Sequence, residues 1–88
     1  MAKGNFPPAP SNPIPIALAN YFSKELSERK GIEMTPTEIQ QTISLKLHNP
    51  ENFYRVFEGV HGVRKITIYL KEDVITSVES SFVSIFHK

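Results

Sequence analysis

Proline placement sets the frame for this chain of 88 residues. Five of the seven prolines, Pro7, Pro8, Pro10, Pro13 and Pro15, fall in the first fifteen residues, and the other two, Pro36 and Pro50, follow Thr35 and Asn49. Proline fixes φ and has no N–H, so it belongs neither in a helix interior nor in a central strand. Residues 1–14 are therefore expected to be a flexible, partly polyproline arm, and residues 15–88 one folded domain. The spacings Pro7-x-x-Pro10 and Pro10-x-x-Pro13 match a minimal SH3-ligand pattern without a flanking arginine, so a plain arm is the leading reading.

Helical periodicity begins after Pro15. Leu18, Phe22 and Leu26 recur every four residues, Ala19 and Tyr21 widen the stripe, and Gly31 follows Arg29 and Lys30 at the expected end. This predicts a first helix over 15–30. Ile32, Glu33 and Met34 alternate as a short extended piece. Thr35-Pro36-Thr37-Glu38 carries a cap, a first-turn proline and a glutamate able to reach back to the cap amide. Ile39, Ile43 and Leu47 then continue at a spacing of four, predicting a second helix over 36–47. Asn49-Pro50-Glu51-Asn52 repeats the start signal, and Phe53, Val56, Phe57 and Val60 supply a stripe for a third helix over 50–60, turned sharply from the second.

Beyond Gly62 the period becomes two. Ile66, Ile68 and Leu70 alternate with Thr67, Tyr69 and Lys71. A turn is expected at residues 71–73, an extended segment at 74–78, a polar break at 79–81 and a further alternating segment at 82–86. The expected fold class is α+β, three helices followed by a two- or three-stranded antiparallel sheet.

Composition narrows the chemistry. Cysteine is absent, which excludes disulfides, thiol nucleophiles and cysteine-ligated metal. A small cysteine-free domain without an apolar leader is expected in the cytoplasm or nucleus, and no apolar run approaches the roughly 20 residues of a membrane span. The three histidines, His48, His61 and His87, fit no metal-ligand spacing. No glycine-rich phosphate loop is present, and Asp73, the one aspartate, completes no recognisable triad. No enzyme, metal or cofactor is expected.

The run from Thr35 through Phe53-Tyr54-Arg55-Val56-Phe57 to Lys65-Ile66-Thr67-Ile68-Tyr69 resembles the winged helix-turn-helix superfamily in element order and spacing, over about residues 16–86. That resemblance implies a third helix in the DNA major groove and a β-hairpin wing on the backbone. It implies that Asn52, Tyr54 and Arg55 face DNA, and that Arg64, Lys65 and Lys71 contact phosphates. The expected function is thus duplex DNA binding in a regulatory or accessory role.

Charge argues the other way. The formal net charge is +1, and residues 36–62 hold Lys46 and Arg55 against Glu38, Glu51 and Glu58. A phosphate-reading surface should be basic, so a monomer has a thin footprint and a dimer or filament would sum modest patches. The alternative is a protein-interaction or homo-oligomerisation module of the same fold, offering the 82–86 strand as an open edge. A third reading is a single-stranded nucleic-acid binder that stacks bases on Tyr54 or Tyr69.

Overall fold

The computed structural model describes residues 13–83. It corrects the expected fold class: the architecture is α+β with two helices and a four-stranded antiparallel sheet, not three helices followed by two or three strands. The expected calls at the SH3-like spacings, at Phe86 and at His87 lie wholly or partly outside the described residues.

Helix α1 spans Ile16–Lys30 and buries Ala19, Phe22 and Leu26. Gly31 closes it in the left-handed region, φ 67°, where a side chain is costly. Residues 32–35 link α1 to the next helix with Ile32 and Met34 buried, and Ser23 Oγ donates to Met34 O at 2.6 Å. Helix α2, Pro36–Thr42, starts on a complete capping box: Glu38 N donates to Thr35 Oγ1 at 3.1 Å, and Thr35 N donates to Glu38 Oε1 at 2.9 Å.

The second helix ends five residues sooner than its apolar spacing suggests. Ile43 turns extended at φ −106°, ψ 130°, and Ile43–Asn49 forms strand β1. The start signal at Asn49 is real but yields one turn only. Asn49 Oδ1 accepts from Glu51 N at 3.1 Å and Phe53 N donates to Pro50 O at 3.3 Å; Phe53 then goes left-handed at φ 52°. The expected third helix is instead this turn and strand β2, Tyr54–His61. The sharp corner between two helices and the winged-helix arrangement built on it are therefore absent from the described residues.

Strand β3 spans Arg64–Lys71 and β4 spans Val74–Phe82, running unbroken through the expected polar break at 79–81. The order is β1-β2-β3-β4, each neighbour antiparallel. Two-residue turns at Gly62-Val63 and Glu72-Asp73 join β2 to β3 and β3 to β4. Register irregularities occur in β1 between Leu45 and Leu47, and opposite Tyr69 and Leu70, where Thr76 is skipped in β4.

Both helices cover one face of the sheet. Phe22, Leu26, Ile39, Ile43, Ile66, Ile68 and Leu70 are fully buried there, each worth roughly 1.5–3 kcal/mol of transfer free energy. Phe22 meets Phe57 edge-on, centroids 5.1 Å apart at 68°. At the irregularity in β4, two α1 side chains take the backbone of Ile75. Its N–H donates to Tyr21 Oη at 3.1 Å, and its carbonyl accepts from Arg29 Nη2 at 3.3 Å. No described buried side-chain N or O lacks a partner. Among the described residues both helices lie on that side, and nothing covers the second sheet face.

Candidate functional site: the open face of the sheet

Strand alternation decides what the uncovered face displays. The β2–β3 register pairs Tyr54 with Lys71, Val56 with Tyr69, Glu58 with Thr67 and Val60 with Lys65. All of these point away from the helices, because Phe57, Ile66, Ile68 and Leu70 point toward them. Lys46, Leu47, Tyr54, Val56, Glu58 and Lys65 line a shallow trough of about 380 Å³, closed on the β4 side by Glu79.

Two tyrosines lie toward one end of the central strands, Tyr54 at the start of β2 and Tyr69 near the end of β3. Tyr54 and Tyr69 are diagonal neighbours, with centroids 6.4 Å apart and planes 29° from parallel. Val56, between Leu47 and Tyr69 in the ladder, is only 5% exposed although it belongs to no helix-side contact cluster. The open face thus has a small apolar floor of its own. Leu47 at its edge is 50% exposed. Tyr69 Oη donates to Glu79 Oε1 at 3.2 Å. Partial burial, helped by that carboxylate, pushes the Tyr69 hydroxyl above its ordinary value of 10.0, so it remains a neutral donor at physiological pH.

The charges on the face are ordered. Glu58 lies between two lysines: Lys65 Nζ approaches Oε2 at 2.9 Å and Lys46 Nζ approaches Oε1 at 3.3 Å. The hydrogen bond from Lys65, with help from Lys46, holds the Glu58 carboxyl below the usual value of 4.5. Lys71 stands beside Tyr54 at one end.

The structure divides the six residues that the sequence nominates. Tyr54, Lys65 and Lys71 come together on the open face. Arg55 points to the other side, ion-paired with Asp73 and 5.6 Å from the Phe57 centroid. Arg64 also lies on the helix side, 5.1 Å over the Phe82 ring. Asn52 sits in the β1–β2 turn, where its N–H donates to Asn49 O at 3.2 Å. Lys46, Glu58, Thr67 and Glu79 were missed as site residues. For Lys46 and Glu58 the signal was the period of two in 44–48 and 54–60, which the helical spacing masked; Thr67 lies in the alternation already read as a strand, and Glu79 in the expected polar break that β4 runs through.

No family model, curated protein sequence or solved structure matches this chain. Among the described residues no group of three or more histidine, aspartate or glutamate side chains is placed to hold a metal ion. No described helix is long and apolar enough to cross a membrane.

Proposed function

We propose that this domain binds single-stranded nucleic acid across the open face of its sheet. The observation that carries the reading is the Tyr54–Tyr69 pair, stacked on a sheet face that no described residue covers, with Lys71 beside Tyr54 and Lys46 and Lys65 along the same trough. Aromatic rings on adjacent strands of a four-stranded sheet give unpaired bases a stacking platform, and stacking tolerates any base. Lysines around the rings supply the phosphate contacts. Duplex binding is not carried forward, because the helix meant for the major groove is β2.

Charge sets the expected strength. Two or three phosphate contacts predict a log–log salt slope of roughly −1.4 to −2.1 for a single strand. Stacking, at about 1–3 kcal/mol per base, then contributes more to affinity than charge does. The reading implies a cytoplasmic or nuclear setting, where unpaired strands occur.

Fluorescence anisotropy of a short labelled oligothymidylate tests this. Wild-type protein is expected to bind with that modest salt slope, and Tyr54→Ala and Tyr69→Ala each to weaken binding by about 1–3 kcal/mol. Binding that is absent, or indifferent to both substitutions, contradicts the proposal.

One observation favours a second reading, association through an outer strand. Leu45 and Leu47 are both substantially exposed on β1, whose outer edge has no partner among the described residues. The irregularity between them bends that edge, a feature that opposes strand addition. Light scattering across concentration distinguishes the two: constant mass removes this reading.

A further inference from the structure

We infer that Lys46 and Lys65 form a seat for one backbone phosphate of the bound strand, kept filled in the free protein by the Glu58 carboxylate. This rests on the open face being the binding surface. Three strands build the arrangement. Lys46 comes from β1 at the register irregularity, Glu58 from β2, and Lys65 from β3. Both ammonium groups converge on one carboxylate, at 3.3 Å and 2.9 Å. The Glu58 side chain is 23% exposed, against 60% for Lys46 and 47% for Lys65, so the acid lies lower, between the two amines.

A carboxylate and a phosphodiester present the same feature to these amines: one negative charge shared over two acceptor oxygens. Glu58 therefore marks a position that fits a backbone phosphate. Surface ion pairs of this kind contribute little to stability, so exchanging one anion for another costs little. The position suits a strand already stacked on the tyrosines. Lys65 is four residues from Tyr69 on β3, about 13 Å along the strand. Glu58 and Thr67, directly opposite one another, occupy the step between. The lysines are thereby held in place before binding, and Glu58 competes with the phosphate it prefigures.

This predicts an effect of unusual sign: removing an acid from the site's centre strengthens binding only through the two lysines. The labelled oligothymidylate is titrated into wild type, Glu58→Gln, Lys46→Ala/Lys65→Ala and the combined triple variant. Glu58→Gln is expected to bind about five- to tenfold tighter, the scale of relieving one like-charge contact. Its salt slope is expected to steepen by roughly 0.7, one more phosphate contact. Both gains should vanish in the double-lysine background. Gains that persist there mean a general charge effect and overturn the seat. Wild-type binding that Glu58→Gln leaves unchanged overturns the seat but leaves the face reading intact. No binding by any variant overturns both. Should Glu58→Gln fail to fold, the lysine double variant decides: unchanged affinity overturns the seat, and a loss supports it. Tripolyphosphate, which has no bases to stack, is expected to compete weakly. Competition as strong as that of the oligonucleotide would assign the seat to free phosphate instead and overturn its assignment to a strand.

Discussion

Gly59 lies directly across the β1–β2 ladder from Ile43, with the backbone at the end of α2 pressed against its α-carbon. A methyl group at Gly59 would meet the Thr42 carbonyl carbon at 2.8 Å and Ile43 Cα at 2.9 Å, with the Thr42 oxygen closer still. Here the chain leaves α2 and enters the sheet, so this contact fixes how the helix layer sits on the strands. The crowding atoms are backbone, and no rotamer change relieves them. Gly59→Ala is expected to cost about 2–3 kcal/mol, in the range of overpacked sites. Urea denaturation should show a lowered midpoint; an unchanged midpoint would contradict the close approach.

The cap of α2 gives a smaller, separable effect. Thr35→Ala removes the acceptor for Glu38 N and should destabilise the domain by about 1 kcal/mol. Thr35→Ser, which keeps the hydroxyl, should recover most of that loss in the same denaturation experiment.

Glu38 and Glu58 link stability to pH. The Thr35 backbone amide chiefly holds the Glu38 carboxyl below 4.5, with His61 adding, and Lys65 and Lys46 do the same for Glu58. A carboxyl depressed in the folded state stabilises it above the unfolded value. That contribution is lost as pH falls through the depressed value. Stability should therefore decline below about pH 4.5, and the decline should be shallower in Glu38→Gln/Glu58→Gln. An equally steep decline in the double variant would remove both carboxyls from the account.

These contacts also show why part of the chain was legible and part was not. Helix α1, the extended piece at residues 32–34 and the Thr35 cap follow from local chemistry: stripe, cap, proline, glycine. Residues 43–60 satisfy two periods at once. Ile39, Ile43 and Leu47 fit a helix, but Ile43, Leu45 and Leu47 also alternate. Phe53, Val56, Phe57 and Val60 fit a helical stripe, but from Tyr54 onward aromatic and β-branched residues recur in a pattern that suits a strand. The choice falls to tertiary pairing. β3 is an unambiguous strand, and β2 completes its ladder while placing Phe57 against Phe22. Of the site, Tyr54, Lys65 and Lys71 were readable as exposed polar or aromatic positions. Their shared face was not, because it depends on the register of β2 against β3.

The turn between β3 and β4 carries a removable conformational cost. Glu72 and Asp73 both have positive φ, 53° and 64°, as a two-residue I′ hairpin requires. Asp73 tolerates that region, whereas Glu72 disfavours it. Asp73 is also the ion-pair partner of Arg55, whereas Glu72 contributes its backbone N–H to Phe53 O at 2.9 Å. Glu72→Asn should keep that bond and stabilise the domain by about 0.5–1 kcal/mol. A destabilised variant in thermal or urea unfolding would contradict the assigned turn.

The most direct test of the open-face account is a residue-resolved NMR titration of the full chain with oligothymidylate. The account predicts that amide shifts concentrate at Lys46, Tyr54, Glu58, Lys65, Thr67 and Tyr69 and leave α1 unmoved. Shifts centred on α1, or no shifts at any ratio of oligonucleotide to protein, would contradict it.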